Sequence, residues 1–177
     1  GWYRGSIGAK GFTYVFGKHT QVLAQLELSN GQKVVTDESW KWSNDGPIRF
    51  ADLKDGEIVD FNFAPSFNGQ VRIGSYDQEI SAINHPQVVV ISTDKPARTF
   101  KSKTDKIVYE FAHNVAGNLA LKLKGPKGAK IRVVMGEILD ENDDVTLKNV
   151  QCVRKGKKTP LQEVRITLKE GLNEYAT

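Results

Sequence analysis

Apolar and polar residues alternate in short runs along much of the chain, the period of two that marks a strand with one face buried and one in water. In Leu119-Ala120-Leu121-Lys122-Leu123-Lys124 the leucines fall on one face and the lysines on the other. Glu163-Val164-Arg165-Ile166-Thr167-Leu168 repeats the arrangement, and so does Lys130-Ile131-Arg132-Val133-Val134-Met135, where Val134 alone breaks the outward polar set. A further strand over Val22 to Leu28 is followed by Asn30-Gly31 and then Lys33-Val34-Val35-Thr36. That spacing predicts a hairpin whose turn needs positive φ, which glycine adopts without a steric penalty. Additional strands are predicted at Ile58 to Phe63, Val71 to Gly74, Val88 to Ile91 and Lys106 to Phe111.

Nowhere do apolar residues recur at i, i+3, i+4 and i+7 over three helical turns. Many short strands separated by Gly, Asn, Asp and Pro turns predict an all-β chain of antiparallel, jelly-roll-like β-sandwich segments, two in number, and disfavour an α/β enzyme. The stretch from Ile83-Asn84-His85-Pro86 to Lys95-Pro96-Ala97 holds two prolines around the purely apolar Val88-Val89-Val90-Ile91. The change of module is placed there, giving segments 1–90 and 91–177.

Composition narrows the function more than the fold. At 39% hydrophobic and 26% charged residues over 177 positions, the chain has the make-up of a globular protein with a core, and no apolar run approaches the length of a membrane span. No membrane partner is expected. The single cysteine, Cys152, excludes an intrachain disulfide and a Cys-rich zinc site. It has none of His19, His85 or His113 as a sequence neighbour, so it reads as a small packed residue. The net charge of +4 is spread over interspersed basic and acidic residues, which does not favour nucleic acid as a partner.

Each candidate motif has a plainer reading. Asp140-Glu141-Asn142-Asp143-Asp144 offers oxygen ligands to calcium, but an EF-hand needs Gly where Val145 stands and Glu where Gln151 stands. It reads as a turn between strands. Arg154-Lys155-Gly156-Lys157-Lys158 lacks interleaved aromatics and reads as a hairpin tip, and Gly125-Pro126-Lys127-Gly128 lacks the ending of a phosphate-binding loop. Glu57, Asp60, Glu137 and Asp140 are the carboxylates bracketed by apolar strand residues, each read first as an edge or turn residue. Trp2, Tyr3, Trp40 and Trp42 sit in polar, Gly-rich contexts; Trp2 suits a core, whereas Trp40 and Trp42 suit a core or a sugar-stacking face equally.

Two stretches carry a resemblance. Gly1-Trp2-Tyr3-Arg4-Gly5 with Gly8, then Leu23-Ala24-Gln25-Leu26, Thr36-Asp37-Glu38-Ser39-Trp40-Lys41, Gly46-Pro47-Ile48 and Gly56-Glu57-Ile58-Val59-Asp60 resemble, in order and spacing, the amino-terminal β-sandwich module of bacterial α-L-rhamnosidases (glycoside hydrolase family 78). Val108-Tyr109-Glu110-Phe111-Ala112-His113-Asn114-Val115-Ala116-Gly117, leading to Gly125-Pro126-Lys127-Gly128 and Gly136-Glu137-Ile138-Leu139-Asp140-Glu141, is similar to the next β-rich module. The family usually has Asp-Phe-Gly-Gln-Asn at the second motif; this chain departs from it at Glu110, Ala112 and His113.

The resemblance implies a fragment cut at both ends, whose first sandwich lacks its opening strands and shows an open sheet edge. It implies that the α-helical barrel with the family's acid and base lies beyond this sequence, so no catalytic residue is assigned. Rhamnose-containing carbohydrate and the catalytic barrel of the same parent chain are the implied partners. Modules resembling the first segment include calcium-dependent rhamnose binders, which makes calcium the one cofactor to consider and attaches a binding role to Trp40, Trp42, Glu57 and Asp60. A scaffold without ligand is the alternative. A periplasmic or extracellular parent is favoured over a cytoplasmic one.

Overall fold

The computed structural model describes residues 21–52, 55–75, 79, 81, 86, 88–149 and 162–176. The expectations for Trp2, Tyr3, His19, His85, Cys152 and Arg154 to Lys158 fall outside them. Among the described residues every helix or strand element is a strand. In chain order these are β1 (Gln25–Glu27), β2 (Lys33–Val35), β3 (Lys41–Trp42), β4 (Ile48–Asp52), β5 (Gly56–Asp60), β6 (Gly69–Gln70) and β7 (Arg98–Lys101). There follow β8 (Ile107–Glu110), β9 (Ala120–Gly125), β10 (Lys130–Val134), β11 (Ile138–Leu139), β12 (Val145–Thr146), β13 (Glu163–Thr167) and β14 (Gly171–Ala176). The chain is all-β, with the β-sandwich character its pattern of alternation predicts.

Two compact units form, neither continuous in sequence: Gly1–Gly46 with Phe63–Glu79, and Pro47–Asn62 with Ile80–Thr177. In the first, β1 pairs antiparallel with β2, Leu26 opposite Val34. The turn is the expected one: Gly31 N donates to Leu28 O at 2.9 Å, and Gly31 has φ 82°. A β-carbon there would be strained in the left-handed region. In the same unit β3 pairs antiparallel with β6, Trp42 opposite Gly69.

The second unit holds a four-stranded sheet in the order β10-β13-β5-β4 and a two-stranded sheet of β14 and β9. Their apolar faces meet. Val59, Val164, Ile166, Leu168 and Tyr175 form the buried centre, and Leu121, Leu123 and Ile131 pack against it. Apart from Val59 and Tyr175, those residues are the apolar positions of the alternating runs, so the period of two selects the buried face there. The turn from β13 to β14 is fixed by Asn173, 1% exposed, whose amide Nδ2 donates to Lys169 O and Gly171 O at 3.0 Å while its Oδ1 accepts from Lys169 N at 2.9 Å. A buried amide with those partners carries no desolvation penalty left unmet.

Three local expectations are corrected. Val88 to Ile91 is not a strand; its side chains are 98%, 65%, 79% and 94% exposed. β-branched residues favour extended backbone, but a strand exists only where a neighbour takes its hydrogen bonds, and none of the described strands runs beside this one. The strand expected at Val71 to Gly74 is displaced to Gly69–Gln70, where Lys41 and Trp42 supply the partner. One pair is also parallel, β13 with β5, which is possible because the chain between them is far longer than the roughly dozen residues a crossover needs.

Candidate functional site

Trp40 and Trp42 are 40% and 49% exposed and lie outside the buried core. Each is held by local chemistry. Asp37 Oδ1 accepts from Ser39 N at 2.8 Å and from Ser39 Oγ at 2.5 Å, and Trp40 N donates to Asp37 O at 3.2 Å, closing a tight turn before β3. The Ser39 hydroxyl and backbone N–H also lower the Asp37 pKa. The Trp42 indole Nε1 donates to Gln70 O at 3.0 Å, and Gly69 sits so close to the ring that an added Cβ would overlap it. The glycine opposite Trp42 in the sheet is therefore what lets the indole lie flat on β6. Phe67, 62% exposed and two residues before Gly69, is a further exposed aromatic of this unit. Sequence reasoning passed over it, although its setting, Ser66-Phe67-Asn68-Gly69, is as polar as that of the tryptophans.

Glu57 and Asp60 belong to the other unit and lie three apart on β5, hence on opposite faces of the sheet. The Glu57 carboxylate accepts from the Tyr175 hydroxyl. Tyr175 is 6% exposed, and burial followed by that carboxylate raises its pKa well above the ordinary phenol value. Asp60 Oδ1 accepts from Asn62 N at 2.9 Å and Asn62 Nδ2 at 2.8 Å, which lowers its pKa, and Asn62 Nδ2 also donates to Leu168 O at 3.0 Å. Both carboxylates are thus engaged in holding the ends of β5 to neighbouring chain.

The acidic run at Asp140 is a turn between β11 and β12. Asp140 Oδ1 accepts from the N–H groups of Asn142 and Asp144 at 2.9 and 3.0 Å, and Asp143 adopts φ 62°. The turn docks on the one between β7 and β8: Lys103 N donates to Asn142 O at 2.9 Å, Lys103 Nζ lies 3.3 Å from Asp143, and Thr104 Oγ1 and Lys106 Nζ both reach Asp144. Lys106, then Ser102 and Thr104, hold the Asp144 carboxyl down to about 2. These oxygens face N–H and ammonium donors that calcium would have to displace, so the turn does not fit that ion. Among the described residues no group of three His, Cys, Asp or Glu side chains is placed to hold a metal.

Glu163 escaped the sequence reading, which counted it with the outward polar set of β13. It is 2% exposed and forms ion pairs with Arg132 and Arg165. These two arginines stand directly opposite each other across β10 and β13, where like charges repel; one carboxylate between them removes the conflict. A general acid needs a raised carboxyl pKa, whereas those of Asp37, Asp60 and Asp144 are all lowered.

The comparisons with known proteins agree on one family. The Alpha-L-rhamnosidase N-terminal domain family matches residues 1–102, and the Bacterial alpha-L-rhamnosidase concanavalin-like domain family matches residues 100–171. An alpha-L-rhamnosidase of Streptomyces avermitilis is 24% identical over 172 residues, covering 85% of this chain and 16% of the relative. One from an Alteromonas species is 28% identical over 162 residues, covering 82% and 18% respectively. The crystal structure of an α-L-rhamnosidase from Aspergillus terreus superposes with a TM-score of 0.71 at 29% identity, over 99% of this chain and 21% of that one. The chain spans less than a fifth of the length of the two bacterial relatives.

Proposed function

The chain belongs to the α-L-rhamnosidase family, through both its N-terminal and its concanavalin-like domain, and from that premise we propose that it is a non-catalytic accessory part of an enzyme that hydrolyses terminal α-L-rhamnosyl linkages in glycans or glycosides. Its two β-rich modules, dividing in the chain near residue 90 apart from Pro47–Asn62, which packs with the second, brace the catalytic barrel of the same parent chain and hold rhamnose-containing carbohydrate. One observation carries this reading: two adjacent domains of one enzyme family match in order, while only 16% to 18% of the bacterial relatives' length is spanned.

The sugar-holding role rests on Trp40 and Trp42. Half-exposed indoles, one of them supported from beneath by Gly69 and with its Nε1–H held by Gln70 O, present a flat apolar surface, which suits the face of a deoxy sugar. Glu57 and Asp60 contribute less to it, since their carboxylates already accept hydrogen bonds from Tyr175 and Asn62. The scaffold reading is favoured by those same contacts, which tie β5 to the core.

Two measurements decide between these roles. The purified chain is assayed on a chromogenic rhamnoside, with no turnover expected; turnover abolished by Glu57→Gln or Glu137→Gln overturns the non-catalytic reading. Rhamnose is then titrated by calorimetry with calcium and again with chelator. Heat lost in Trp42→Ala supports sugar binding at that face, and absence of heat in both titrations leaves the scaffold role alone.

A further inference from the structure

The family boundaries and the packing of the chain disagree. The N-terminal domain family ends at residue 102 and the concanavalin-like family starts at 100, yet Pro47–Asn62 packs with Ile80–Thr177. We infer that the β4–β5 hairpin is an integral part of the carboxy-terminal sandwich, so that the concanavalin-like domain of this chain is completed by a strand pair carried within the span of the N-terminal domain. The partner of the open side of β13 is therefore a named segment of the same chain, residues 47–62.

The contacts are those of a core strand and not of a loop lying on a surface. β5 runs beside β13 in register, Val59 opposite Ile166, and β13 is flanked by β10 on its other side. Beyond the ladder, Phe61 N donates to Thr167 O at 3.0 Å and Asn62 Nδ2 to Leu168 O. Val59 is 3% exposed, a member of the same buried cluster as Val164, Ile166, Leu168 and Tyr175. Glu57 accepts the hydroxyl hydrogen bond of Tyr175, which crosses from the β9–β14 sheet. Without the hairpin β13 becomes an edge with a row of unpaired backbone groups, Ile166 and Val164 lose cover, and the buried Tyr175 hydroxyl loses its acceptor. No equivalent group within residues 100–171 fills these places among the described residues, because β13 has only β10 and β5 as neighbours.

The test uses the full chain and amide hydrogen exchange read by mass spectrometry at neutral pH. In the unaltered chain, β5, β10, β13 and β14 should share one level of protection, since they open together. Val59→Ala should lower protection in all four by tenfold or more and leave β1 and β2 unchanged. Glu57→Gln, which keeps an acceptor for Tyr175 and leaves Val59 in the core, should produce the same distributed pattern at smaller amplitude. Loss confined to residues 47–62 in both variants, with β10, β13 and β14 still protected, would overturn the inference. A chain cut at a protease site inserted after Ile73 gives a second reading: the hairpin-bearing piece should stay bound in buffer and come away once Val59→Asp is introduced, and retention in that variant counts against the proposal.

Discussion

The β1–β2 hairpin of the first unit and the β13 strand of the second carry the same kind of sequence in very different surroundings. In the hairpin, Leu26 is 58% exposed and Val34 38%, although they sit opposite each other as a cross-strand apolar pair. In β13, Val164 and Ile166 are 2% and 1% exposed, because β9 and β14 lay a second apolar sheet over them. A cross-strand pair alone shields little of either side chain, whereas a facing sheet removes nearly all of the area from water. At about 25 cal/mol per Å² of apolar surface, that difference concentrates stability in the second unit.

The contrast is broken most directly by truncation. Ile166→Ala should destabilise the second unit by about 2–5 kcal/mol, the range for emptying a packed site. Leu26→Ala should change stability by no more than about 0.5 kcal/mol. Denaturant titrations of both variants check this, and equal losses would mean that exposure misreports the packing of β1.

A smaller effect is expected at Glu163. Glu163→Ala leaves Arg132 and Arg165 facing each other across the strands, and should cost about 1–2 kcal/mol, below the range for breaking a fully buried ion pair, since the two guanidinium groups left behind are 61% and 43% exposed and stay hydrated. Replacing all three residues together should recover much of that loss. A triple variant as unstable as the single one would show that the side chain matters for packing and not for charge.

Acid sharpens the comparison within the second unit. The Asp144 carboxyl is held at about 2, below the ordinary 3.8, so its partners favour the charged form. A depressed folded value contributes stability that is present above pH 3.8 and lost as pH falls towards 2. The docking of the β7–β8 turn on the β11–β12 turn should loosen in that window, seen as faster exchange at Lys103 and Asn142. Asp144→Asn should be looser at neutral pH and less sensitive to the same acidification.

A small stability change is also expected at Trp42. Trp42→Ala removes a side chain that is 49% exposed and should cost about 1 kcal/mol or less, while abolishing any change in tryptophan fluorescence on adding rhamnose. Gly69→Ala should displace the indole without removing it, because the added methyl overlaps the ring. A fluorescence response that survives both substitutions would move the sugar site away from β3.

Much of the fold was readable because its signals are local. The runs at Leu119, Lys130 and Glu163 alternate with a period that no helix can satisfy, and each became a strand with its apolar members turned inward. Asn30-Gly31 placed a turn whose positive φ is a property of one residue. The candidate site was less readable. Trp40 and Trp42 could be named from composition, but their exposure depends on what packs over them, and Glu57 changes meaning once Tyr175 is found against it.

What the sequence by itself determined, then, was the all-β class, the inward face of the alternating runs and the membership of an enzyme family, all of which follow from neighbouring residues and the order of short motifs. The tertiary structure decided which strands meet. Val88 to Ile91 has every local reason to extend and finds no partner among the described strands, while β5 finds one in β13 across most of the chain. It also decided the burial of Glu163, a residue that alternation assigns to solvent and two arginines allow to leave it. Pairing and burial are set by contacts between residues far apart in sequence, and a short window of sequence holds only one side of each contact.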